Sequence, residues 1–503
     1  MKASVVANKE FTISKIDDRL YGAFLEHLGR AIYEGIYEPD HPTADENGMR
    51  GDVAKLVKDL NVPVVRYPGG NFVSAYDWED GIGPREDRPV RLDLAWHTSE
   101  SNQVGIHEFA DWCASVGTEM MLAVNLGSRG VDDARNFLEY VNHPGGSYWS
   151  DMRIANGRKE PWNVKLWCLG NEMDGPWQVG HKTADEYGAL AANTARAMRM
   201  FDRSLELIAC GSSNADMPTY PDWERVVLEH TYEHVDYISL HMYFANPEKN
   251  TGNFLTLAEK LDTYIETVAS TIKQVKAKKR SKRDVYICFD EWNVWYHSKE
   301  QDRKILEGNS GWPFAPGLLE DIYNFEDVLM VGLILNTFIR RSDVVKIACI
   351  AQLVNVIAPI MTEKGGPAWA QTIYYPYYFA SIFGRGTALD LQVKSPTYDG
   401  KHAEKAPYVD VAGVHNEEEG TISFFLVNRS GNEEAEVELS LQGFGAGQVI
   451  DHQVMTHNNL EAVNSARNQD EVKPRKGEGA AVNGDVLSVK LPPYSYQMVR
   501  VKV

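Results

Sequence analysis

The segment NVKLWCLGNE (163–172) runs apolar from Leu166 to Leu169 and stops on Gly170-Asn171-Glu172. It is too short for an ordinary helix, and its apolar run suits a strand buried on both faces of a parallel sheet. Seven other runs share this texture: LYGAFLEH (20–27), VPVVRYPGG (62–70), TEMMLAVNLG (118–127), ELIACGSS (206–213), HVDYISLHMY (234–243), VYICFDEW (285–292) and VKIACIAQLVN (345–355). Helical spacing marks the intervals 51–60, 105–116, 131–140, 184–203, 222–231, 254–279 and 318–341, and Thr183 stands as an N-cap before the fourth of these. Eight strands alternating with helices predict an α/β fold, a (β/α)8 TIM barrel over residues 16–384. A doubly wound open sheet is the alternative that periodicity leaves open.

Beyond about residue 385 the texture changes. VDVAGVHN (409–416), TISFFLVNRS (421–430), AEVELSL (435–441), QVIDHQVM (448–455), DVLSVKL (485–491) and YQMVRVKV (496–503) alternate with no long helix between them. They predict a C-terminal antiparallel β-sandwich, jelly-roll-like, with 457–483 as a long surface loop. The N-terminal strand at 3–14 suits an edge of that sandwich, so the second domain is expected to be discontinuous, 1–15 plus 385–503.

Composition excludes several classes. The 503 residues carry 51 Lys+Arg against 71 Asp+Glu, a net charge of −20, which argues against nucleic acid or an anionic membrane as partner. The basic run KQVKAKKRSKR (273–283) reads as a solvated helix end, where cations suit the dipole. The start has no apolar signal-peptide core, and no apolar run reaches the roughly 18 residues of a membrane span. Five widely spaced cysteines fit neither a disulfide framework nor a metal pairing, so the expected compartment is a reducing cytoplasm. No H-x-H or H-E-x-x-H spacing marks a metal, and GFGAG (443–447) lies among sandwich strands as a turn, so no metal or cofactor is expected.

Barrel chemistry sits at the C-terminal strand ends. Here they bear Glu26, His27, the segment Arg66 to Asn71, Asn125, Asn171, Glu172, Ser212 to Asn214, His241 to Tyr243, Asp290, Glu291 and Gln352. Turn formers and helix caps do not explain acids closing LWCLGNE and VYICFDEW, because an ionised carboxylate there is costly unless paired or open to a cleft. Strands four and seven lie across the mouth from each other, bringing Glu172 and Glu291 within reach of one small ligand. Two carboxyl groups flanking one bond are what glycoside hydrolysis needs, about 5–5.5 Å apart for retention and about 6.5–9.5 Å for inversion. Glu26 has a plainer reading as an ion-pair partner of Arg66, and His27 and His241 read as hydrogen-bonding orienters.

LWCLGNE (166–172) resembles the strand-four motif of retaining barrel glycosidases, and CFDEWNVWYH (288–297) resembles the nucleophile motif of the family 51 α-L-arabinofuranosidases. YGAFLEHLGRAIYEGIYEP (21–39), RYPGGNFVSAYDWEDGIG (66–83), YISLHMY (237–243), LLEDIYNFED (318–327) and IAQLVNVIAPIMTEKGGPAW (350–369) are similar to that family in the same order. The resemblance implies Glu172 as general acid/base, Glu291 as nucleophile, and Asn171 on the sugar 2-hydroxyl. It implies Glu26, Asn71, Tyr243 and Gln352 around the furanose, with Trp295 and Trp96 as aromatic walls, Trp96 nearer the leaving group. It implies a retaining exo-acting hydrolase of arabinan and arabinoxylan fragments that forms a homo-oligomer, commonly a hexamer. The connector 299–317 has no close counterpart and is expected to form a loop over the cleft. Alternatives are another retaining glycosidase, such as an endoglucanase or β-xylosidase, a non-catalytic carbohydrate-binding protein, or a metal-dependent hydrolase.

Overall fold

A computed structural model describes residues 1–308 and 311–503. Eight parallel strands close into a barrel: Gly22–Phe24, Val64–Tyr67, Glu119–Val124, Leu166–Leu169, Glu206–Cys210, Tyr237–Phe244, Tyr286–Val294 and Val345–Ala351. Closure decides against the open sheet, since Cys349, Ile350 and Ala351 pair with Gly22, Ala23 and Phe24. At that seam a Cβ on Gly22 would stand 2.8 Å from Val64 Cγ1 and 2.9 Å from Cys349 Sγ. Only glycine lets the first and eighth strands approach so closely. All five cysteines are buried and free, as small apolar packing would have them.

The helix Ala184–Phe201 begins where Thr183 accepts from the Glu186 N–H and the Glu186 carboxylate accepts from the Thr183 N–H, a reciprocal cap. The helix expected over 318–341 starts later, at Phe325, because Asn324 and Asp327 form the same kind of cap there. The residues before it stay irregular, and Asp321 accepts from the backbone N–H groups of Tyr296, His297 and Ser298. Phe325–Arg340 is buried almost all round, as a helix sandwiched between two layers must be. Its Asn336 reaches Asp410 and the Phe425 carbonyl, and Arg340 pairs with Asp410, so it links the barrel to the sandwich.

The C-terminal part forms two sheets. One is ordered 392–394, 2–8, 435–442, 486–491, 480–483, and the other 12–15, 387–389, 409–416, 421–428, 495–502, 448–456, 475–476. Burial alternates along Ala435–Gln442, with Val437 and Leu439 meeting Val5, Phe424, Leu426 and Val499 in the core. The expected strand 3–14 is two strands, Lys2–Asn8 and Thr12–Lys15, one in each sheet. Lys2–Asn8 runs parallel to Ala435–Gln442, so the sandwich is not antiparallel throughout. The expected loop 457–483 holds two short strands, Arg475–Lys476 and Ala480–Asn483, that extend both sheets, and its buried Asn464 donates to the Ala370 carbonyl.

Among the described residues, no helix is long and apolar enough to cross a membrane.

Candidate active site

The acids stand where the strands stop. Leu169 ends the fourth strand, Gly170 turns the chain at φ 90°, and Glu172 follows at φ 44°. A glutamate in the left-handed region is strained, and such strain persists where the surroundings over-determine a side chain. In the seventh strand the register slips against both neighbours: His241 pairs with Glu291 although Ser239 pairs with Cys288, and Trp292 pairs with Ile350 although Phe289 pairs with Ala348. The extra residue is a bulge. It lets the consecutive acids Asp290 and Glu291 both meet Arg66, which strict alternation would forbid.

Arg66 is the buried cation of the site. Its Nη1 donates to Glu291 Oε1 at 2.8 Å, its Nη2 to Asn171 Oδ1 at 2.6 Å, and its Nε lies 3.0 Å from Asp290 Oδ2. The pairing of Glu26 with Arg66 is therefore not formed. Tyr243 donates its hydroxyl to Glu291 Oε2 at 2.7 Å, which with Arg66 leaves the carboxylate held at both oxygens. His241 stands between the acids, with Nδ1 2.9 Å from Glu172 Oε1 and 3.5 Å from Glu291 Oε2, and Nε2 3.2 Å from Asp290 Oδ1. Burial opposes the imidazolium, yet Glu291, Asp290 and Glu172 raise His241 well above the ordinary imidazole value. Burial pushes Glu291 up from its ordinary value, with His241 and Arg66 pulling against it. Burial also opposes ionisation of Asp290, but Arg66 and His241 hold it below the usual range. Glu172, His241 and Glu291 each bring one donor atom within 4.8 Å of the others, as metal ligands do.

The remaining candidates follow the first, second, seventh and eighth strands. Glu26 Oε1 accepts from the Phe72 N–H at 2.9 Å and from Trp96 Nε1 at 3.0 Å, and Gln352 bonds both the backbone and the carboxylate of Glu26. Burial pushes the Glu26 carboxyl up to about 8 against those two N–H donors. Asn71 Oδ1 accepts from Asn171 Nδ2 at 3.4 Å. Trp295 packs edge-on to Tyr243 with Lys299 Nζ 4.9 Å over its ring. All of these except Asn171 line one cleft of about 650 Å³ with Glu172 and Glu291. Trp96 stands on the Glu26 side; the indole that touches Glu172 is Trp177, whose Nε1 donates to Oε2 at 2.7 Å. The connector expected as a loop over 299–317 begins as a helix, Lys299–Gly308, although Lys299 does line the cleft; its residues 309–310 lie outside the described residues.

Gly70 shows how tightly the cleft is packed. A Cβ there would overlap the Glu26 carboxylate. Gly70→Ala is expected to displace Glu26 and lower kcat/KM by about 100-fold, the cost of a misplacement near 1 Å. Steady-state kinetics on an aryl glycoside of the sugar that the family resemblance implies check this, and unchanged kinetics would show that the Gly70–Glu26 packing does not matter to the site.

Comparison with known proteins gives the family of the chain. Residues 56–269 match the α-L-arabinofuranosidase 1 domain and residues 290–495 the α-L-arabinofuranosidase C-terminal domain. The chain is 55% identical over 501 residues to the intracellular exo-α-(1→5)-L-arabinofuranosidase 1 of Bacillus subtilis (strain 168), covering 100% of this chain and 99% of that one. The chain belongs to the family 51 α-L-arabinofuranosidases. Another family member, the exo-α-(1→6)-L-arabinofuranosidase of Bifidobacterium longum, is 46% identical over 511 residues, covering 100% of this chain and 97% of that one. The solved structure of a family 51 α-L-arabinofuranosidase from Bifidobacterium longum superposes with a TM-score of 0.95 at 43% identity, covering 99% of both chains. The barrel and C-terminal sheets described above are thus the architecture of this arabinofuranosidase family.

Proposed function

We propose that the protein is a retaining exo-acting α-L-arabinofuranosidase that removes terminal non-reducing arabinofuranosyl residues from arabinan and arabinoxylan fragments. The observation that carries the retaining mechanism is the approach of Glu172 and Glu291, which bring carboxylate oxygens within 4.8 Å of each other across the cleft. That approach supports the retaining class, whose acids stand about 5–5.5 Å apart, over the inverting class at about 6.5–9.5 Å. Glu291 attacks the anomeric carbon while Glu172 protonates the departing oxygen. Once Glu291 is an ester its negative charge is gone, and Glu172 takes the proton of a water that attacks the same carbon. Arg66 and Tyr243 orient the nucleophile, while Asn171, Asn71, Glu26 and Gln352 supply polar groups for the furanose, with Trp295 and Trp96 as walls.

The natural linkage is read no finer than this, since one relative is named for 1→5 and another for 1→6 bonds. The compartment is proposed to be cytoplasmic, supported by the intracellular naming of the Bacillus subtilis relative. The family resemblance supports a homo-oligomer, a hexamer. The strand pairing supports two domains, 16–384 and 1–15 plus 385–503. Proton NMR of the first-formed product from an aryl α-L-arabinofuranoside is expected to show the α-anomer ahead of mutarotation. The β-anomer first, or no hydrolysis, would overturn the reading.

A further inference from the structure

The cleft is larger than the furanose pocket. Beyond Glu172 it continues along Ser213 to Asp216 after the fifth strand and Ala245 to Glu248 after the sixth, over an apolar floor of Phe254 and Leu257. Its far wall comes from the C-terminal part of the chain, as a hairpin of Thr397–Gly400 and Ala403–Pro407 whose tip residues Lys401 and His402 line the cleft. The hairpin is fixed to the barrel. Tyr398 Oη donates to the Gly252 carbonyl at 3.1 Å, and the Lys401 N–H to Asn253 Oδ1 at 3.0 Å. Gly400 is packed so closely that a Cβ would stand 2.5 Å from Thr256 Cγ2.

The fifth and sixth strands follow the fourth around the barrel, so this extension adjoins Glu172, on the leaving-group side, away from Glu26, Asn71 and Gln352. Both lysines on it are paired, Lys260 with Asp216 at 2.7 Å and Lys401 with Glu248 at 2.5 Å. Paired charges present strong donors and acceptors without a net positive field, which suits neutral sugar hydroxyls better than a uronate. The His402 ring makes no hydrogen bond among the described residues. A cleft of about 650 Å³ falls within the size range of pockets that enclose a drug-sized ligand, more than one pentose.

We propose that the 397–407 hairpin and the Asp216–Lys260 pair form a distal site for the neutral pentose units of the leaving oligosaccharide. This rests on the arabinofuranosidase reading of the same cleft, and the experiment separates the two. The variants Lys401→Ala, His402→Ala and Lys260→Ala are compared with the unaltered protein on p-nitrophenyl α-L-arabinofuranoside and on arabino-oligosaccharides of two to five sugars. The unaltered protein is expected to gain in kcat/KM with chain length beyond the disaccharide, and the variants to lose about tenfold on the longest substrates through KM. Their aryl arabinofuranoside turnover is expected to stay within about twofold, which also reports an intact fold. No chain-length gain, or equal losses on aryl and long substrates, would overturn the distal site. A preference for uronate-bearing oligosaccharides would overturn the neutral occupant. Failure of the unaltered protein to cleave the aryl substrate would instead overturn the arabinofuranosidase reading.

Discussion

Glu291→Ala is expected to abolish turnover, a loss on the order of 10⁴-fold or more in kcat, because no covalent intermediate can form without it. The fold is expected to survive. Arg66, the cation it pairs with, keeps Asn171 at 2.6 Å and Asp290 at 3.0 Å, so no buried guanidinium is stranded. The vacated space beside Tyr243 Oη opens onto the cleft, where a small anion can enter. Azide is expected to attack from that side and release a glycosyl azide of inverted configuration from an aryl arabinofuranoside with a good leaving group. Kinetics, NMR of the azide product and a thermal midpoint check the three claims together. Residual activity near a tenth of the starting value would mean that another group is the nucleophile.

Glu172→Ala is expected to act differently, through the leaving group. Proton transfer from a positioned acid is worth about 10²–10⁴-fold, so natural oligosaccharides and alkyl arabinofuranosides lose that much in kcat/KM. A dinitrophenyl leaving group needs no proton, and the first chemical step on it is expected to run nearly unimpaired. The second step still lacks its base, so a burst of dinitrophenol precedes a slow steady state. Azide bypasses the missing base and is expected to restore turnover with net retention, the opposite configuration from the Glu291 variant. Loss that is uniform across leaving groups would remove Glu172 from the acid role. Trp177 donates to Glu172 and His241 stands on its other oxygen, so the vacancy faces two intact neighbours and no unpaired carboxylate.

Much of this was legible in the chain because apolar runs and their terminal residues are local signals. The runs LWCLGNE and VYICFDEW each place an acid directly after buried strand residues, and the structure brings both acids to one cleft. Arg66 and Asp290 were visible at strand ends, but their joint role was not, because it depends on a bulge that no periodicity announces. Trp177 lies in an irregular turn after the fourth strand and is 47% exposed, so neither pattern nor burial singled it out. The 397–407 hairpin was hidden for another reason. Its strands are half polar and its place is fixed by contacts with Gly252, Asn253 and Thr256, about 150 residues upstream. The helix 299–308 is strongly polar, with several charges in ten residues, and reads as loop until its ion pairs among Glu300, Arg303 and Lys304 are seen.

The parallel pairing of Lys2–Asn8 with Ala435–Gln442 sets an order on biogenesis. Once made, Lys2–Asn8 cannot meet that neighbour until about 430 further residues have been made, a delay of about 20–90 s at typical elongation rates. The barrel between them can close within that interval, leaving the amino-terminal ribbon tethered at its base through Ile16 and Leu20, both buried in the barrel core. Docking of that ribbon is then a late, long-range step, slow for topological reasons. While it waits, its alternating apolar face is an unpaired edge, the form in which a nascent chain is most open to chaperones or to a neighbouring copy of itself.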